Sequence, residues 1–317
     1  MGIIRVVTGV LLVLAHAPQR ALEPITYSWT DDVRHRDVVV HIWHPVSPAR
    51  QLPVVLFSPG AGTRSSVYTA KIEDLASHGY VVVAVDYPAY GPPPACQPRA
   101  NATYDEAVSV GMSCMRDRAD VDAKDLQFVL DRVIALNGPF DLARVAAVGH
   151  SLGGFVSVRA CQLDQRITVC VNEDGGTADG AFLQYVDAAP PKQPVLYVEA
   201  SVPAMTDQQL AASGLTRDEW DRRLKHVLND VHGEQLRGSG RGSYKVSLHA
   251  PGMQHSSFGD AFKTAATPEA SRAALHNLAL TEDVTRAFLD KHLKADPKTI
   301  LDDGVERSEI VVTPFNR

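Results

Sequence analysis

The 317-residue sequence predicts an α/β fold: a mostly parallel, twisted sheet with helices on both faces and an antiparallel N-terminal edge. Three observations carry that expectation. Short, continuously apolar runs such as Pro53–Ser58 (PVVLFS) and Tyr80–Val85 (YVVVAV) suit strands buried on both faces. Amphipathic helical patterns separate such runs, as parallel crossovers require. Two β-branched runs at the start, Ile25–Thr30 and Arg36–His44, are joined by a short polar turn at Asp31-Asp32, which fits an antiparallel pair. With 45% hydrophobic and 21% charged residues, the composition excludes disorder, collagen and coiled coil as the main state. A net charge of −6 without any Lys/Arg block gives nucleic acid no electrostatic footprint, so no nucleic-acid partner is expected.

The first 17 residues read as a signal peptide: Arg5, an apolar run from Val6 to Ala15, and an A-x-A cleavage site at Ala15-His16-Ala17. The run falls short of the ~20 residues that cross a bilayer. Residues 18–317 are expected to form a single α/β domain, because no linker or internal repeat divides them. Export, secreted or periplasmic, suits four cysteines. Cys96, Cys114, Cys161 and Cys170 allow three pairings, and the local one, Cys96–Cys114 with Cys161–Cys170, closes two short loops and is preferred.

The elements follow in order. Val67–His78 is a helix with apolar Val67, Ala70, Ile72, Leu75 and Ala76, stopped by Gly79 as a left-handed cap. Tyr87–Asp117 reads as a long, Pro-rich irregular loop with a cysteine near each end. Arg118–Leu136 is a long amphipathic helix. Val145–Gly149 is a strand, Leu152–Leu163 a helix, and Ile167–Val171 and Pro194–Ala200 are strands. Leu210–Leu236 makes one or two helices broken at Ser213-Gly214, Ser243–Ala250 is the last core strand, and Leu278–Leu293 is a terminal helix before a polar tail.

The chemistry is concentrated at Gly149-His150-Ser151-Leu152-Gly153, a G-x-S-x-G sequence with a strand before it and a helix after it. On such a strained turn, flanking glycines avoid steric collision and the serine hydroxyl stands above the sheet edge as a nucleophile. The Leu152 N–H, at a helix N-terminus, points where an oxyanion would form. A serine hydroxyl needs a base. Among His226, His232, His249, His255, His276 and His292, His255 has the right position, in a polar loop after the last core strand. The acid that orients it is open between Asp174, Glu199 and Asp207, all near the carboxyl ends of strands.

The segments FSPGAG, ASHGYVVVAVDY, DLQFVLD, VGHSLGG, NEDGG and GMQHSSFGD, in this order and spacing, resemble the plasma-type platelet-activating-factor acetylhydrolases and their bacterial relatives, members of the α/β-hydrolase fold. The resemblance covers roughly Pro53 to Asp260 and the terminal helix. It implies an acid on the strand directly after the nucleophile helix, 23 residues beyond the serine, which is Asp174 rather than Glu173, Glu199 or Asp207. It implies a base in a G-x-x-H-x-x-F-x-D context, which Gly252–Asp260 reproduces with His255. It also implies a second oxyanion donor, the Ala61 N–H; Pro59 stands where the relatives usually carry His. The implied activity is serine-dependent hydrolysis of short-chain or phospholipid-like acyl esters through an acyl-enzyme, without metal or organic cofactor, on small-molecule or lipid substrates. A lipase, polyester hydrolase or dienelactone-type hydrolase is the alternative on the same scaffold.

Other features have plainer readings. His41 and His44 lie on opposite faces of a strand, which suits edge positions better than a shared metal. Arg237–Gly242 precedes a strand, where a phosphate cradle would precede a helix. Phe182, Tyr185, Trp220 and Phe258 are candidates to line an acyl pocket or to fill the core.

Overall fold

The computed structural model describes residues 23–45, 51–88, 96–175, 189–200, 205–225, 232–296, 299–301 and 308–316. The expected signal peptide, His226, Phe182 and Tyr185 lie outside the described residues. A nine-stranded mixed sheet runs in the order β1-β2-β4-β3-β5-β6-β7-β8-β9. Its strands are β1 (Ile25–Asp31), β2 (Arg36–Trp43), β3 (Leu52–Ser58), β4 (Val81–Asp86), β5 (Phe140–His150), β6 (Val169–Glu173), β7 (Val195–Ala200), β8 (Ser243–Leu248) and β9 (Ile310–Phe315). The N-terminal pair is antiparallel, as its short turn predicts, and β2 meets β4 antiparallel. From β4 through β3, β5, β6 and β7 to β8 every pairing is parallel.

Parallel strands need crossovers, and these cover both faces. On one face α2 (Tyr104–Ala135) and α3 (Leu152–Leu163) bury Leu126, Leu130, Phe155 and Val156 against Val54, Leu56 and Val83. On the other, α1 (Thr69–Ser77) and α7 (Pro268–Leu293) bury Ile72, Leu75, Val284 and Phe288 against Val55, Phe57 and Val82. Alternate residues of β3 therefore enter opposite cores, which is why its sequence is apolar without interruption. Gly79, at φ 85°, ends α1 as expected.

Three expectations need correction. The segment Tyr87–Asp117 is not irregular throughout. Thr103 caps α2 with a reciprocal Thr103–Glu106 capping box, so the helix starts at Tyr104, well before Arg118. The C-terminal tail is not simply polar loop: β9 pairs antiparallel with β8 and burial of Ile310 anchors it. The segment after β7 holds three helices among the described residues, α4 (Asp207–Ser213), α5 (Arg217–Lys225) and α6 (His232–Gly238), with Gly214 at φ 70° making the first break.

Both local disulfides form. Cys96–Cys114 ties the segment before α2 to that helix, and Cys161–Cys170 ties α3 to β6. The antiparallel edge is held to α2 by charges: Arg36 binds Asp125 through two nitrogens and lies 3.5 Å from Asp122, and Arg34 reaches the Asp125 carboxylate, while Arg118 pairs with Asp122 within the helix. Burial pushes the Asp122 carboxyl up to about 6 against the opposing pull of Arg118. No helix of the described residues is long and apolar enough to cross a membrane.

Candidate active site

The carboxyl ends of β3, β5, β6 and β7 and the turn after β8 converge on one edge. Ser151 sits between β5 and α3 at φ 56°, ψ −121°, a backbone conformation that is costly for any side chain. The surrounding contacts impose it. A Cβ on Gly149 would lie 2.2 Å from the Gly153 carbonyl oxygen, and one on Gly153 would lie 2.0 Å from that of Ser58. The serine turn thus packs main chain against main chain on the end of β3. Its N–H is donated to the Glu173 carbonyl at 2.8 Å, which fastens the turn to β6.

Asp174 follows β6 at φ 52°. Its N–H is donated to Val198 O (2.7 Å), and its Oδ1 accepts the Ala200 N–H (2.9 Å), so β7 holds it from both ends. Its Oδ2 lies 2.6 Å from Nδ1 of His255, which opens a short 3-10 turn, His255–Phe258. The acid side chain is only 3% exposed and the imidazole 37%, so one end of the pair is dry and the other reachable. Ser151 Oγ makes no hydrogen bond among the described residues.

Ala61 lies in the turn after β3. There the Gly60 N–H is donated to Tyr68 Oη (3.1 Å) and the Thr63 N–H to the Gly60 carbonyl (3.2 Å). Leu152 is the first residue of α3. Tyr68 Oη also lies 2.9 Å from Nδ1 of His150. The His150 ring is stacked on Phe258 at 5.3 Å and stands 4.5 Å from the His255 ring. Burial holds His150 well below the usual histidine range, and His255 and Lys71 push it the same way, so it stays neutral beside the exposed imidazole. His150, Asp174 and His255 bring ligand-type atoms within 4.8 Å of one another. Two of these atoms, Asp174 Oδ2 and His255 Nδ1, are bonded to each other.

The rival residues are engaged elsewhere. Glu199, buried, binds Nδ1 of His232 at 2.6 Å and Lys245 at 3.0 Å. His232 opens α6. Asp207 lies in the first turn of α4, 99% exposed, against Arg217. His276 faces Glu309, and His292 faces the Gly242 carbonyl. Trp220 and Phe258 are both buried. Glu173, next to the acid, forms a wholly buried pair with Lys71 (2.6 Å) and accepts the Thr285 hydroxyl (2.6 Å). Burial also pushes the nearby Glu282 carboxyl up to about 7, with Lys71 opposing and Asp74 adding. Sequence reasoning did not single out Tyr68, Lys71 or Asn172. A lone polar residue inside an apolar pattern, as at Asn172 in CVNE, was the one available signal.

Residues 55–306 match the model of the alpha/beta hydrolase family. The chain belongs to that family. This alpha/beta hydrolase is similar to a ferulic acid esterase structure from Streptomyces cinnamoneus, with a TM-score of 0.62 and 25% identity over 94% of this chain and 98% of that one. It is 30% identical over 125 residues to a probable 1-alkyl-2-acetylglycerophosphocholine esterase of Arthroderma benhamiae, a match spanning 39% of this chain and 32% of the relative. It is 26% identical over 161 residues to the platelet-activating factor acetylhydrolase of Canis lupus familiaris, spanning 38% of this chain and 34% of the relative.

Two outcomes test this packing and its charges. Gly153→Ala forces a Cβ onto the Ser58 carbonyl, so it should destabilise the hydrolase by about 4 kcal/mol or more, read by urea denaturation. A carboxyl raised on folding stabilises the fold below its unfolded value near 4.5, and the contribution is lost as pH rises through about 7. Glu282→Gln removes that dependence. It should melt above the wild-type protein at about pH 8, with the gap closing at about pH 4.5, in paired thermal scans.

Proposed function

We propose that this chain is an exported serine hydrolase of carboxylic esters, acting through an acyl-enzyme. The observation that carries the reading is the dry Asp174 carboxylate bonded to the reachable His255 imidazole, beside a serine held in a strained turn. In this reading Asp174 keeps the Nδ1 proton of His255 in place, leaving Nε2 as the base. Ser151 Oγ attacks the ester carbonyl and passes its proton to Nε2. The carbonyl oxygen, now an anion, is met by the N–H groups of Ala61 and Leu152, the Gly60 N–H being committed to Tyr68. His255 then returns the proton to the leaving alkoxide. A water deprotonated by the same imidazole attacks the acyl group, and as the Oγ–C bond breaks His255 returns that proton to Ser151 Oγ, freeing the acid.

The names of the similar proteins support esters as the substrate class, with short acyl groups on phospholipid-like alcohols or ferulic-type aromatic acids as the acyl group. Two disulfides and the signal-like N-terminal sequence support an oxidising, extracytoplasmic compartment, and one continuous nine-stranded sheet supports a single domain from residue 18 onward.

Ser151→Ala should fold normally and lose turnover of p-nitrophenyl acetate and labelling by a fluorophosphonate. Undiminished turnover by the folded variant would refute the nucleophile. A panel holding a 2-acetyl phospholipid and methyl ferulate separates the two substrate chemistries. Ala61→Pro removes one donor and should lower kcat about a hundred- to a thousandfold, equivalent to ~3–4 kcal/mol of transition-state stabilisation.

A further inference from the structure

Asn172 lies on β6, two residues before Asp174, and is 1% exposed. A polar amide at that depth needs partners. Its Oδ1 accepts the Gly175 N–H at 2.8 Å, and its Nδ2 reaches the Gly175 carbonyl at 3.4 Å. The amide thereby closes the chain into a tight turn across Asn172–Gly175, and Asp174 occupies the left-handed position inside it.

The same amide explains two glycines. A Cβ on Gly154, in the first turn of α3, would lie 2.2 Å from Asn172 Oδ1. A Cβ on Gly175 would lie 2.4 Å from that oxygen and 2.6 Å from the Ser151 carbonyl. The last glycine of GHSLGG and the first of NEDGG are therefore the two walls around one side chain. Asn172 is wedged between the helix that follows the serine and the turn that carries the acid.

We infer that Asn172 is a positioning residue of the ester hydrolase. Its amide sets the left-handed turn that aims the Asp174 carboxylate at His255. The inference rests on the serine-hydrolase reading above. It predicts that loss of the acceptor lowers the rate of chemistry and leaves substrate binding alone, because the amide is buried behind the acid. A displacement of the acid by about 1 Å is enough to cost on the order of a hundredfold in rate.

The test compares wild type, Asn172→Leu, Asn172→Ser and Gly154→Ala, by kcat and KM on p-nitrophenyl acetate and by the rate of fluorophosphonate labelling at Ser151. Leucine keeps the branched shape and removes the acceptor. Serine keeps a weaker acceptor. Gly154→Ala keeps Asn172 but drives its amide off Gly175, at a helix position where alanine is otherwise preferred. The expected result is a fall in kcat and labelling of about ten- to a hundredfold for Asn172→Leu. A smaller fall is expected for Asn172→Ser, a fall for Gly154→Ala, and KM within about twofold throughout. If Asn172→Leu fails to fold, Asn172→Ser and Gly154→Ala carry the same comparison. A kcat unchanged in the folded variants, or a loss carried by KM, overturns the role of Asn172 while a labelled wild-type Ser151 leaves the serine reading standing. A wild-type enzyme that turns over ester without labelling at Ser151 overturns both.

Discussion

The edge of the sheet that carries the site is built around one constraint: the turn holding Ser151 touches the end of β3 backbone to backbone. The approach is so close that neither Gly149 nor Gly153 has room for a Cβ. Everything else is arranged relative to that contact. It fixes the distance between the serine turn and the turn of Gly60 and Ala61, because both are anchored on the same strand end. It also forces Ser151 into a conformation that a relaxed chain avoids, and such strain persists only where the surroundings over-determine it. The Ser151 N–H bonded to Glu173 O supplies part of that determination, and it passes the constraint to the acid's own strand.

Beneath this edge the protein keeps charges in places that solvent does not reach. Lys71 and Glu173 are wholly buried, and their mutual attraction has to offset the desolvation of both. Such a pair is a poor source of stability. It does have a direction, because it joins α1 to the end of β6, and Thr285 adds α7 to the same carboxylate. Two helices on one face are thus referenced to the residue immediately before Asp174. The buried neutral His150 plays a matching part, since Tyr68 connects it to the Gly60 N–H on one side and its ring meets His255 on the other.

The sheet was legible because both of its faces are covered: strands such as LPVVLFS and VVVAVD have no polar alternation to confuse them. The end of α3 was legible to the residue, and the N-terminal hairpin nearly so. The starts of α2 and α7 were not. α2 begins at Tyr104 because of Thr103 and Glu106, in a segment whose prolines and glycines suggest a loop. β9 was missed since an edge strand needs only Ile310 buried, and its partner β8 lies more than sixty residues earlier. Of the site, the motif around Ser151 is local and could be read directly. Tyr68, Lys71 and Asn172 act through contacts made only after folding, so no spacing rule reaches them.

The acid shows why residue-level reading stopped at a choice. Asp174 and Glu199 both stand at the ends of adjacent parallel strands, and each holds a histidine Nδ1 at 2.6 Å. By residue type and position they are near equivalents. Their surroundings separate them. Glu199 divides its charge between His232 and Lys245, and its histidine is buried with it, so that pair has no face toward solvent or substrate. Asp174 gives one oxygen to a backbone N–H and the other to an imidazole whose far side is open. A carboxylate can orient a base only if the base can still reach something else. That asymmetry in access, which sequence position alone cannot encode, favours the Asp174–His255 pair as the working one and leaves Glu199–His232 a structural tie between β7 and α6.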